Sequence, residues 1–134
     1  MARRILVAED EALVAALYAD LLEEAGYEVT LAFDGEQALE RAAAAEGAGR
    51  RYDALVTDLN MPHLCGEGLV RAVRARDPAL PVVVATGSPP PGGVEELRAR
   101  GGGHGPLALL LKPVDDTRLL DALRRVTSPA WTAA

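Results

Sequence analysis

The chain has 134 residues, with 14 Lys and Arg against 20 Asp and Glu, a formal net charge of −6 and an isoelectric point near 4.9. That length is enough for one domain with a buried core, and the acidic balance excludes a nucleic-acid surface, which needs clustered Lys and Arg. No segment reads as a signal peptide or membrane span, and a single cysteine, Cys65, cannot form an internal disulfide, so a cytoplasmic chain is expected.

Ile5-Leu6-Val7-Ala8 is a short β-prone run that leads into Glu9, Asp10 and Glu11. Val14, Leu17, Leu21 and Ala25 then recur at helical spacing before Gly26, predicting an amphipathic helix with that stripe in the core. Residues 28–32 alternate polar and apolar side chains, as a half-exposed strand does. Asp34 with Gln37 three residues later reads as a capping box opening a helix that presents Ala38, Leu39 and Ala42, while residues 43–49 are expected to fray.

Leu55-Val56-Thr57 ends in Asp58, and Pro62 shortly afterwards stops any ladder. Asp58 is therefore expected at the carboxyl end of a buried strand, where open α/β sheets place their chemistry. Cys65, between Leu64 and Gly66 at a helix entry, reads as a small buried hydrophobe. Leu69, Val70 and Val73 mark a third helix closed by Asp77-Pro78, and the run from Val82 ends in Thr86-Gly87. The prolines at 89–91, Gly92-Gly93 and the glycine-rich residues 101–106 leave only about residues 94–100 to be helical. Leu107 to Leu111 delivers Lys112 and Pro113; Asp115 or Asp116 can cap a last helix whose core stripe is Leu119, Leu120, Leu123 and Val126. Residues 127–134, with Trp131, read as a loose tail after a domain of residues 1–126. The arginines at 71, 74, 76, 98, 100, 124 and 125 read as solvated helix faces, and His63 and His104, with no partner at ligand spacing, as surface residues.

Five strands alternating with five helices imply parallel pairing through right-handed crossovers, hence a doubly wound α/β three-layer sandwich with helices on both faces. The strand ends then share one edge, where Glu9, Asp10, Asp58, Thr86 and Lys112 converge. Neighbouring carboxylates repel by about 1 kcal/mol per pair in water and roughly 4 at an effective dielectric of 20, so the three acids call for a cation. Oxygen-only ligands suit Mg²⁺, which keeps several waters; Mn²⁺ is an alternative. Glu11 reads as a helix-entry acid only.

No one of these residues is diagnostic, but their joint order is: acids after the first strand, Asp58 after the third, Thr86-Gly87 after the fourth, Lys112-Pro113 after the fifth. In that order the chain resembles the CheY-like receiver domain of two-component response regulators over residues 4–126. The resemblance implies the flavodoxin-like strand order 2-1-3-4-5 and a phosphoryl group taken onto Asp58 from a sensor histidine kinase or a histidine phosphotransfer protein. It makes Asp10, Asp58 and the main-chain carbonyl of Asn60 the Mg²⁺ ligands, with Glu9 acting through water and Thr86 and Lys112 on the phosphoryl oxygens. A regulatory domain follows, assisting only its own phosphorylation and dephosphorylation and switching a downstream protein target, with no direct contact to nucleic acid or membrane. The chain would be a stand-alone regulator or a receiver from a larger protein such as a hybrid kinase.

Two departures bear on output. Receivers commonly carry Tyr or Phe three residues before the Lys, where this chain has Leu109, and the Pro and Gly insertion alters the surface beside the fourth helix. Residues 89–93 and 101–106 are expected to carry the switch by ordering around Thr86. Glu9 in place of the more frequent Asp keeps the charge and lengthens the reach. A haloacid dehalogenase-type phosphatase also uses a strand-end Asp, but it needs a second Asp two residues later as general acid, where Asn60 stands. A receiver-like protein-binding module that is never phosphorylated is the other alternative.

Overall fold

The computed structural model describes residues 2–128. Strands β1 (Arg4–Ala8), β2 (Glu28–Ala32), β3 (Ala54–Thr57), β4 (Val82–Thr86) and β5 (Leu107–Leu111) alternate with helices α1 (Ala12–Glu24), α2 (Gly35–Gly47), α3 (Gly66–Arg76), α4 (Gly93–Leu97) and α5 (Asp116–Thr127). A π-helical turn, Arg98–Gly102, prolongs α4. All strand pairs are parallel, in the order β2-β1-β3-β4-β5, as expected.

Every residue of β3 and β4 is buried, as a strand covered on both faces requires. Alternate side chains feed two cores. Leu6, Leu55, Val82 and Val84 pack with Leu69 and Val73 of α3; Ile5, Val7, Val56 and Val83 pack with Tyr18 and Leu22 of α1 and Leu119 and Leu123 of α5. In the register, Ala8 lies opposite Thr57, Thr57 opposite Val84 and Thr86 opposite Leu111, so Glu9, Asp58, Thr86 and Lys112 reach the same sheet edge.

The structure corrects four local readings. In α1 the fully buried residues are Ala15, Tyr18, Ala19 and Leu22; of the expected stripe, Val14 and Leu21 pack partly buried against the core, while Leu17 is 59% exposed and Ala25 is exposed. Apolar residues occupy more than one face of α1, so spacing alone cannot choose the centre of the buried one, and the sheet takes the face centred on Ala15, Tyr18, Ala19 and Leu22. In α2 the expected fraying is absent. The alanine run, the strongest helix former, carries the helix to Gly47, and it closes at Gly49 (φ 71°) with Arg50 N–H donating to the Ala45 carbonyl at 2.8 Å. Asp34 caps the Gln37 N–H at 2.7 Å as expected, while the Gln37 carboxamide accepts from Phe33 N–H, one residue before the cap.

Arg74 is buried rather than solvated. Its Nε and Nη2 donate to the Leu80 carbonyl at 3.3 and 3.0 Å, and Nη2 also reaches the Pro106 carbonyl, tying α3 to the approaches of β4 and β5. Burial, helped by the charge of Arg98 and opposed by Asp77, lowers its pKa to about 10, so it stays cationic at neutral pH. Cys65 is exposed, because it occupies the N-cap position of α3 outside the packed helix face. Asp115 caps α5 by accepting from Arg118 N–H at 2.8 Å, and that helix continues through Thr127; Trp131 and the rest of the predicted tail beyond residue 128 lie outside the described residues. Among the described residues no helix is long and apolar enough to cross a membrane.

Candidate functional site

Asp58 follows β3 directly and is held by its own backbone, with its N–H donating to the Ala8 carbonyl at 3.2 Å. One carboxylate oxygen, Oδ1, accepts from Leu59 N–H at 2.6 Å and Asn60 N–H at 3.3 Å. The other, Oδ2, accepts from Lys112 Nζ at 2.9 Å. The carboxylate is thereby oriented through one oxygen while the second faces the ammonium.

Glu9 lies beyond β1 and is buried, 1% exposed. Its Oε2 accepts from Glu11 N–H at 3.1 Å, and its Oε1 accepts a short hydrogen bond from Lys112 Nζ. One ammonium therefore bridges two buried acids. Asp10 is exposed beside them, and one oxygen from each of Glu9, Asp10 and Asp58 can be chosen such that all lie within 4.8 Å of one another. Three hard oxygen donors from three carboxylates, with a single ammonium between two of them, fit a small divalent cation.

Burial raises the pKa of Glu9, the hydrogen bonds from Lys112 and from the Glu11 amide working against that rise. At Lys112 burial alone would depress the ammonium, but its bonds to Glu9 and Asp58 prevail and hold it above its ordinary value. Lys112 thus contributes stability that is fully present below its ordinary pKa and is lost only as strongly alkaline pH passes its raised value. For Glu9 the native state binds the proton more tightly than the unfolded chain, so its ionisation erodes stability as pH rises from 4.5 through the raised value. In chelator, the stability of Glu9→Gln relative to the parent should therefore improve over that interval. A difference independent of pH in denaturant titrations would show that burial does not govern Glu9.

Thr86 closes β4 fully buried; its hydroxyl accepts from Ser88 N–H at 3.1 Å and its carbonyl accepts from Lys112 N–H at 2.9 Å. The backbone bond between β4 and the residue after β5 seats Lys112 beside Thr86. Asn60 is exposed on the loop after Asp58. The expected residues are thus brought to one edge. His63 and His104 are exposed, as surface residues are.

Gly66 is a residue of the site that the sequence reading passed over. A Cβ there would lie 2.0 Å from the Asp58 carbonyl oxygen and 2.8 Å from the Leu59 Cα, so only glycine lets α3 start directly against the loop after Asp58. Its signal was a glycine at a helix entry eight residues after the Asp, unremarkable without the fold. A groove of about 580 Å³ beside the site was also not anticipated; it runs between α1 and the connection from β5 to α5, with Val14, Leu17, Tyr18, Lys112 and Val114 among its walls.

Comparison with known proteins agrees with this arrangement. Residues 5–124 match the family model of the response regulator receiver domain. A response regulator receiver protein of Anaeromyxobacter sp. is 36% identical over 119 residues, covering 89% of this chain and 46% of that protein. A protein-glutamate methylesterase/protein-glutamine glutaminase of Anaeromyxobacter dehalogenans is 37% identical over 128 residues, covering 94% of this chain and 34% of its own length. The chain thus spans less than half of either curated relative. The solved structure of chemotaxis protein CheY4 from Vibrio cholerae superposes with a TM-score of 0.81 at 31% identity, covering 94% of this chain and 99% of that one. With its acids, hydroxyl and ammonium gathered at the carboxyl edge of a 2-1-3-4-5 parallel sheet, the chain belongs to the response regulator receiver domain family, the CheY-like regulatory module of two-component signalling.

Proposed function

We propose that Asp58 is the phosphoacceptor of this receiver domain, and that Asp10, Asp58 and the Asn60 carbonyl hold Mg²⁺, with Glu9 acting through water. The observation that carries this reading is Lys112 Nζ bridging Glu9 and Asp58 beside the three-carboxylate cluster. An oxygen of Asp58 attacks the phosphorus of a phosphohistidine or acyl phosphate. A new O–P bond forms as the donor's P–N or P–O bond breaks, and the electron pair leaves on the imidazole nitrogen or the acyl oxygen. Charge builds on the three equatorial oxygens, so the protein contributes by positioning and electrostatics. Lys112 exchanges a carboxylate contact for a phosphoryl oxygen, and the Thr86 hydroxyl donates to another. Mg²⁺, when bound, supplies positive charge against the acids and the incoming phosphoryl group. Later attack of water on phosphorus restores the carboxylate and releases phosphate.

The donor is a histidine kinase or histidine phosphotransfer protein, and the exposed Leu17, which lines the α1 groove together with Lys112, supplies apolar surface for it, as does the exposed Leu13 of the same helix. The domain acts in the cytoplasm as a regulator of a downstream protein, with no catalysis beyond its own phosphorylation and dephosphorylation. Asn60, lacking an acidic proton, speaks against the dehalogenase-type phosphatase. Incubation with Mg²⁺ and acetyl phosphate should add one phosphoryl group, labile to hydroxylamine and mapped by mass spectrometry to Asp58, and Asp58→Asn should abolish it. Labelling of the variant at the parent's rate would remove Asp58 from the role, and an unlabelled parent would favour a binding module that is never phosphorylated.

A further inference from the structure

We propose that Arg100, together with Glu67 and Glu96, forms a charged clamp through which the state of Asp58 is read at α4. The proposal rests on Asp58 being the phosphoacceptor. It begins at Gly66, whose N–H donates to the Leu59 carbonyl at 2.9 Å and whose missing Cβ leaves no gap between α3 and the Asp58 backbone. A displacement of the acceptor loop therefore cannot be absorbed there and is passed to the first turn of α3. The next residue is Glu67. Its two carboxylate oxygens accept from Arg100 Nη1 at 3.1 and 3.4 Å, and Arg100 Nη2 pairs with Glu96 of α4 at 3.1 Å.

The clamp is fixed from behind. Arg71 of α3 donates through Nε and Nη2 to the Arg100 carbonyl at 3.2 and 2.7 Å, and Gly101 (φ 112°) lies against the Arg71 side chain, where a Cβ would come 2.7 Å from Nε. The body so held is small. The helix α4 has five residues, buries Leu97, and is bounded by Gly93 at φ 62° and Gly101 and Gly103 at φ 112° and 68°. The segment is held by Val94 and Leu97 at the core, by Arg98 Nη1 donating to the Gly103 and Gly105 carbonyls, by Arg71 on the Arg100 carbonyl and, on its outer side, by the ion pairs of Arg100.

Asn60, Glu67, Ser88 and Arg100 line a groove of about 410 Å³ between the acceptor loop and the residues after Thr86. That space lets the chain after Thr86 move towards Asp58 when the Thr86 hydroxyl turns to a phosphoryl oxygen. The movement displaces the start of α4 relative to Glu67, and the ion pairs of Arg100 resist it. The clamp thus favours the unmodified arrangement and lowers the apparent affinity for a phosphoryl group by the fraction of molecules it withholds. Leu109, partly buried against the same core, is not needed for this coupling.

The test measures beryllium trifluoride affinity in Mg²⁺ for the parent, Glu67→Gln, Arg100→Gln and the double variant. It is paired with hydrogen exchange of residues 93–105 in the unliganded proteins. The Arg100 side chain is 52% exposed and that of Glu67 23%, and Gln keeps a polar side chain of similar length at Glu67, so these variants should keep the parent's melting temperature to within a few degrees. Each single variant should bind about two- to fivefold more tightly, the range open to exposed ion pairs, and exchange faster at residues 93–105; the double variant should gain no more than either single one. High salt should draw the parent towards the variants by screening the pairs. Unchanged or weaker affinity, or additive effects, would overturn the clamp while leaving Asp58 in place. A parent that binds no beryllium trifluoride would overturn the phosphoacceptor reading and the clamp with it.

Discussion

Lys112→Met should slow phosphoryl uptake from acetyl phosphate by about 10²–10³-fold at saturating Mg²⁺, the loss that follows removal of one preorganised donor from a developing oxyanion. The ammonium is mostly buried, bonded to Asp58 Oδ2 at 2.9 Å and to Glu9, and it is the cation the described residues place between those acids. The variant leaves two buried carboxylates without their shared donor and should also lose about 1–3 kcal/mol of stability in chelator. Initial rates by intact mass, taken well below the melting transition, separate the chemical loss from the structural one. A rate within twofold of the parent would take Lys112 off the phosphoryl oxygens.

Saturating Mg²⁺ should raise the melting temperature of the parent by roughly 10 °C. A ligand at a hundred times its dissociation constant adds about 2.7 kcal/mol to the folded state, and each kcal/mol moves a domain of this size by about 4 °C. The direction follows from Glu9, Asp10 and Asp58: one oxygen of each lies within 4.8 Å of the others, and the single Lys112 ammonium offsets only part of the repulsion among three carboxylates. Asp10→Asn removes the exposed member of the set with no cost in core packing. It should melt higher than the parent in chelator and gain little from Mg²⁺. Equal Mg²⁺-dependent shifts in both proteins would exclude Asp10 from the site.

Residues around the site differ in how far their position was readable beforehand. Asp58, Thr86 and Lys112 each terminate an apolar run four or five residues long, and an alternating βα chain sends all such termini to one edge, so their meeting followed from order alone. The α1 face did not, because Val14, Leu17 and Leu21 and the set Ala15, Tyr18, Ala19 and Leu22 have the same helical period. Only packing against the sheet, which takes Tyr18 and Leu22 together with Ala15 and Ala19, decides which face is fully buried. Arg74 and Cys65 reversed their expected environments for a similar reason. Carbonyls of Leu80, beyond the end of α3, and of Pro106, 32 residues along the chain, make burial of a guanidinium tolerable, while a helix entry that faces outward leaves a thiol exposed.

What the sequence by itself determined is the parallel sheet, the edge where the chemistry gathers and the identity of its acids, hydroxyl and ammonium, since these depend on local period and chain order. What only the tertiary structure decided is which helix face is buried, that Lys112 spans Glu9 and Asp58, that α3 begins flush against Asp58 at Gly66, and that Arg100 joins Glu67 to Glu96. Such contacts join residues up to 103 positions apart, and they depend on distances of a few tenths of an ångström that no periodicity encodes.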